Sequence, residues 1–154
     1  MKSPHAFLAA ADISGPEGMF RTVSVHLYPH SGEAHQANLR LLFDALKAAM
    51  TKPPITGGRF VAGGDINAAR HFDVVYEKKT YAKFFASVAK RGLHDCHFGL
   101  HGQDERTFWG KGEYQLDHFF VEESAKALVR KCDVITTAET RRLSDHSPLV
   151  LELN

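Results

Sequence analysis

At 154 residues the chain is long enough for one domain with a real core, and apolar and charged fractions of 44% and 24% are those of an ordinary globular protein. A net charge of +1 excludes a global basic field, so any contact with nucleic acid must come from a local patch. Cys96 and Cys132 lack Cys-x-x-Cys spacing, which argues against a disulfide scaffold or zinc knuckle and for reduced thiols in a cytoplasmic protein.

In chain order, the apolar stretch from Phe7 to Ile13 carries Asp12 and is too short for a secretion signal. No run is long enough to span a bilayer. Phe7 to Ser14 and Met19 to Leu27 read as two strands around the turn Gly15-Pro16-Glu17-Gly18. In the second, Val23, Val25 and Leu27 share one face, while Thr22, Ser24 and His26 share the other. Leu39, Leu42, Phe43, Leu46 and Met50 recur at helical spacing, which predicts a helix over Glu33 to Met50. Thr51 to Gly58 is loop-like. Arg59 to Ala62 is a short strand running into Gly63-Gly64-Asp65. Tyr81, Phe84, Phe85 and Val88 mark a second helix ending near Gly92. Thr107 to Trp109, Tyr114 to Val121, Leu128 to Thr136 and Pro148 to Leu153 read as the remaining strands. The expectation is a single domain over residues 1–154: a layered α/β (α+β) fold with helices covering one sheet face.

Three short motifs end or interrupt these strands and carry the chemistry. In Gly64-Asp65-Ile66-Asn67, a carboxylate and an amide two residues apart on an extended exit could hold a divalent cation and orient a phosphoryl oxygen or water. The same spacing also suits a plain Asx-turn. Asp117, inside Tyr114-Gln115-Leu116-Asp117-His118-Phe119-Phe120, is costly to bury unless paired. An imidazole partner would satisfy it and fix the tautomer of a general base; otherwise Asp117 faces solvent from an edge strand. His118 points the opposite way and reads as a packed histidine.

In Ser144-Asp145-His146-Ser147-Pro148, adjacent side chains diverge, so Asp145 can face a metal while His146 faces a scissile phosphate. A structural turn is the alternative. His26 ends its strand, where it could donate to a phosphate or protonate a leaving oxygen, or simply be a surface histidine. Arg106, Phe108, Trp109 and Lys111 could form a phosphate-and-stacking patch for nucleotides, against core roles for the two aromatics. His94, His97 and His101 look like a metal cluster, but Phe98-Gly99-Leu100 between them reads as loop.

As an ordered set, His26-Leu27, Gly64-Asp65-Ile66-Asn67, Leu116-Asp117-His118 and Ser144-Asp145-His146-Ser147-Pro148 resemble the endonuclease/exonuclease/phosphatase superfamily of DNase I-like and exonuclease III-like enzymes. Thr107-Phe108-Trp109 falls where that family carries a threonine/aromatic strand. The resemblance runs from Phe7 to Leu153 and implies a metal-dependent phosphodiesterase or nuclease using Mg²⁺ or Mn²⁺. It implies in-line attack by water, with His146 as base and Asp117 holding its other ring nitrogen. Asp65 and Asn67 would position water and the phosphoryl oxygen, and Asp145 would help hold the metal. His26 would stabilise phosphorane charge or assist the leaving group, and Arg106, Thr107 and Trp109 would contact substrate. That substrate would be nucleic acid or another phosphoester.

The chain departs from the family in one respect. Its members begin with a strand carrying Asn, followed by a strand and helix ending in Gln-Glu, and nothing upstream of Met19 matches; Glu17 lies in the Gly-Pro turn. The expectation is therefore a partial domain, the later half of a four-layer sandwich. A weak metal site should follow, as should a bare sheet face around Val121 and Leu151 that invites a homodimer or covering partner. A catalytically weak remnant serving as a binding module is the alternative function.

Overall fold

The computed structural model describes residues 6–16, 18–28, 33–51, 59–77 and 79–154. In chain order these form β1 (Ala6–Gly15), β2 (Gly18–Leu27), α1 (Glu33–Thr51), β3 (Arg59–Asp65), α2 (His71–Val75), α3 (Thr80–Lys90) and β4 (Leu93–Asp95). They continue with α4 (Cys96–His101), β5 (Asp117–Glu122), α5 (Glu123–Lys126), β6 (Val129–Val134), α6 (Ala138–Leu143) and β7 (Leu149–Leu153). The mixed α/β class is as expected. Glu17 and most of the 51–58 loop lie outside the described residues.

Two layers cover a five-stranded sheet of order β1-β2-β3-β5-β4, in which β2 and β3 run parallel and the other neighbours antiparallel. The pleat sends Val23, Val25 and Leu27 of β2, with Phe60 and Ala62 of β3 and Phe120 of β5, toward one face. Leu39, Leu42 and Leu46 of α1 and Phe84, Phe85 and Val88 of α3 close over them. Each helix presents an apolar stripe at i, i+3/i+4 spacing, so its stability comes from this burial rather than from propensity.

The opposite sheet face is not bare, which corrects the expectation. The β6–β7 ribbon packs on it, burying Val61, Val121 and Cys132 with Phe119, Leu149 and Leu151 against them. Val121 is fully buried. Exposed apolar side chains include Phe7, Leu8 and Ile13 on edge strand β1, Val74 and Val75 at the end of α2, and Leu143 before β7.

Register fixes the functional geometry. His26 of β2 pairs with Asp65 of β3, and Asp65 with Asp117 of β5, so three polar residues occupy one rung at one end of the sheet. Gly63 and Gly64 precede that rung for steric reasons. A Cβ on Gly63 would lie 2.2 Å from the Phe119 ring, and one on Gly64, at φ +137°, 2.0 Å from the Val25 carbonyl oxygen.

Two further sequence expectations are corrected. Thr107 to Trp109 is not a strand: Phe108 makes only isolated bridges to Tyr114 and His146. The segment around His97 is not a loop but α4, opened by Asp95, whose carboxylate accepts the Phe98 N–H.

Candidate active site

The rung ends where the backbone turns away from the sheet. After Asp65 the chain makes an Asx-turn: Asn67 N–H donates to Asp65 Oδ1 at 2.8 Å, and Asn67 adopts φ +48°. The Asn67 amide nitrogen donates to Asp65 Oδ2 at 2.9 Å and to the Leu27 carbonyl at 2.7 Å. The Asx-turn is thus compatible with the convergence of the expected site residues. The turn locks the carboxylate plane, with both oxygens engaged by Asn67.

Two imidazoles converge on Asp65 Oδ2. His26 Nε2 is 3.8 Å and His146 Nε2 4.0 Å from Asp65 Oδ2, both just beyond hydrogen-bond reach. His146 Nδ1 meets Asp117 Oδ2 at 2.8 Å. A carboxylate on Nδ1 selects the tautomer protonated there and leaves Nε2 as a free acceptor aimed at Asp65. Phe108 packs on the His146 ring at 5.1 Å between centroids. The His146, Asp117 and Asp65 side chains are 27%, 18% and 19% exposed, shielded but open to a ligand. A cleft of about 300 Å³, lined in part by Gly64, Asp117, Phe119, Ser144, His146 and Leu149, opens beside them. A larger cleft of about 570 Å³ between α1 and α3 contains none of these groups.

Electrostatics follow from crowding. Burial opposes charge on His146, but the Asp117 hydrogen bond and the negative fields of Asp117, Asp65 and Asp145 outweigh it and raise its pKa above 6.5. Burial likewise raises Asp65, assisted by Asp117 and opposed by the Asn67 N–H and the two imidazoles. Crowding on the rung therefore raises both His146 and Asp65 above their ordinary values.

A hard cation is the group this donor set suggests. Asp65 already accepts two hydrogen bonds, and Asp117 accepts one. Among the described residues the exposed Asp145 carboxylate makes no side-chain hydrogen bond or ion pair, and Asn67 retains its amide oxygen. Among the described residues no group of three His, Cys, Asp or Glu side chains is already arranged to hold a metal ion. Such a set fits a loosely held ion that keeps its waters, as Mg²⁺ does, and not a closed cage.

Several expected residues are placed differently from one another. His26, Asp65, Asn67, Asp117 and His146 converge. Thr107 does not face the opening: it is fully buried, and its hydroxyl accepts the Leu116 and Asp117 backbone N–H groups at 2.9 and 3.2 Å. A hydroxyl so enclosed cannot touch substrate; it holds the start of β5 instead. Arg106 and Trp109 stack on one another beside Asp145. His94, His97 and His101 are drawn to separate acids, Glu123, Glu105 and Asp133.

Sequence reasoning missed the buried support beneath the rung. His118 is packed, as expected, but its Nδ1 meets Asp95 Oδ2 at 3.0 Å while Nε2 lies 3.0 and 3.2 Å from the Ala68 and Gln115 carbonyls. Arg70 bridges Asp95 and Asp104 at 2.8 and 2.6 Å, with its guanidinium against the Phe85 and Phe98 rings. Despite burial, His118 and Arg70 depress the Asp95 carboxyl well below its ordinary value, and Asp95 raises His118. His118 thus ties the segment after Asn67 to the strand carrying Asp117. The only sequence signal was an Asp positioned to cap a helix, three residues before Phe98.

No protein-family profile matches the sequence, and no curated protein matches it. Solved structures do. A 3′ phosphatase, NExo, from Neisseria, described bound to a product DNA hairpin, superposes with TM-score 0.71 at 20% identity over 96% of this chain and 64% of that one. An AP endonuclease from Archaeoglobus fulgidus gives 0.72 at 17% identity over 96% and 65%. A mannosyl-6-phosphatase from Bacteroides thetaiotaomicron gives 0.60 at 20% identity over 88% and 51%. The chain spans about two thirds or less of the length of these structures. At this identity the likeness establishes the fold. No helix among the described residues is long and apolar enough to cross a membrane.

Proposed function

The chain has the DNase I-like fold of the endonuclease/exonuclease/phosphatase superfamily, and from that premise we infer that it hydrolyses phosphate esters, with phosphodiesters of nucleic acid as the substrate class. One observation carries the reading: the His146–Asp117 pair directs a free imidazole nitrogen toward Asp65 on the rung that also holds His26.

In this reading His146 Nε2 takes the proton of the attacking water, and Asp117 stabilises the imidazolium so formed. Asp65, held in plane by Asn67, orients the water between itself and His146. His26, 57% exposed at the opening, donates to the phosphoryl or leaving oxygen. Asp145 and Asp65, with the Asn67 amide oxygen, would hold Mg²⁺ or Mn²⁺, which when bound polarises the phosphoryl group. Because Nε2 must be unprotonated to act as base, its raised pKa puts the rising limb of the rate above the ordinary imidazole value.

The deciding experiment is nicking of supercoiled plasmid by the purified chain in Mg²⁺, against EDTA and against His146→Ala. Cleavage that needs the divalent ion and falls by about 10²–10⁴-fold in the variant supports the assignment. Cleavage at the parent rate by His146→Ala removes it, and saturable binding with no cleavage replaces it with a binding module.

A further inference from the structure

Beside the rung, the sole tryptophan of the chain is gripped by two cations. The guanidinium carbons of Arg106 and Arg141 lie 4.2 and 4.1 Å from the Trp109 ring centroid. These residues come from different places: Arg106 precedes the Phe108 bridge, and Arg141 is exposed in the last turn of α6.

The indole is fixed before any ligand arrives. Its Nε1–H donates to Ser147 Oγ at 2.8 Å, and Ser147 Oγ lies 2.9 Å from Thr136 Oγ1. The Trp109 backbone N–H donates to the Asp145 carbonyl at 2.7 Å, so the stack flanks the residue next to His146. Arg106 is equally constrained, donating to the Phe108 and Gly110 carbonyls at 2.9 and 3.2 Å. Among the described residues neither guanidinium is paired with a carboxylate.

Two unneutralised planar cations held on one ring repel each other, and an anion accepting from both relieves that repulsion. The ring is meanwhile engaged by guanidinium groups rather than offered to a base, which reverses the stacking role the sequence suggests for Trp109. We propose that Arg106, Trp109 and Arg141 form a subsite for a second, non-scissile phosphate of a phosphodiester strand, recognised by its charge and independent of base identity. This rests on the phosphodiesterase reading, because a strand that places one phosphate at His146 delivers a neighbouring phosphate alongside.

The test uses Trp109 fluorescence in EDTA, where no turnover is required. The chain is titrated with a short oligothymidylate and with an abasic strand of equal length. Both strands are expected to give a saturable change. Arg141→Gln, exposed and therefore fold-neutral by circular dichroism, should weaken both by about tenfold and flatten the log K against log salt slope by roughly 0.7. Arg106→Gln should behave alike.

Unchanged affinity in Arg141→Gln overturns the subsite, as does binding of oligothymidylate without the abasic strand, or a response confined to phosphoinositide vesicles. The two readings separate cleanly. Cleavage through His146 without Arg141-dependent binding leaves the hydrolase and removes the subsite; Arg141-dependent binding without cleavage does the reverse.

Discussion

His146 Nδ1 and Asp117 Oδ2 stand 2.8 Å apart although the residues are 29 positions apart in sequence. One comes from the turn before β7 and the other from the first position of β5, so the contact joins the ribbon to the central sheet. The dyad is therefore a tertiary contact as well as a candidate proton relay.

Asp117→Asn keeps a hydrogen-bond acceptor for Nδ1–H and removes its charge. The His146 pKa, raised in the parent, should fall toward 6.5, which proton NMR titration reads directly. The pair's stabilising effect is fully present below the unfolded imidazole pKa and is lost as pH rises through the folded one. The variant should accordingly lose stability mainly on the acidic side, and urea midpoints measured across that window check the sign.

Thr107→Val should damage the site without touching substrate. The hydroxyl accepts two backbone N–H groups at the start of β5, and its loss leaves buried donors unsatisfied. A destabilisation of about 1–3 kcal/mol is expected. Thr107→Ser should retain parent stability within a fraction of that, and equal losses in both variants would refute the hydroxyl's role.

Asp95→Asn should be among the most destabilising exchanges, about 3–5 kcal/mol, because it strips the counter-charge from buried His118 and from Arg70. Asp95 is held below its ordinary pKa, so its contribution is present above the unfolded carboxyl value and lost as pH falls through the folded one. Chemical denaturation of parent and variant should converge in strong acid.

Magnesium should bind weakly, with a dissociation constant on the order of 10⁻⁴–10⁻³ M, typical of hard cations in sites with few carboxylates. Calorimetry on the parent and on Asp145→Asn checks this. Submicromolar binding would contradict a weak site, and an unchanged variant would show that Asp145 is not among the ligands.

How much of this was legible depended on range. Asp117 and His146 could be singled out because a carboxylate in an apolar run must find a partner, and a strand-ending Asp-His delivers one. Periodicity placed α1, α3 and the long strands, since each buries a stripe. It failed for β4, whose three residues are too few to alternate, and so Asp95 went unseen. Arg70 and Arg141 carry no local signature, because their partners lie on other segments. Thr107 misled because a threonine beside aromatics reads the same whether its hydroxyl faces a ligand or a backbone. The cover on Val121 was missed because ribbon packing is a non-local event.

The alignment of His26, Asp65 and Asp117 on one rung makes chain length itself a functional parameter. Deleting or inserting one residue inside β2, β3 or β5 would turn the affected carboxylate or imidazole to the reverse side of the pleat, leaving composition and hydrophobicity almost untouched. Such indels should abolish chemistry far more surely than most point exchanges.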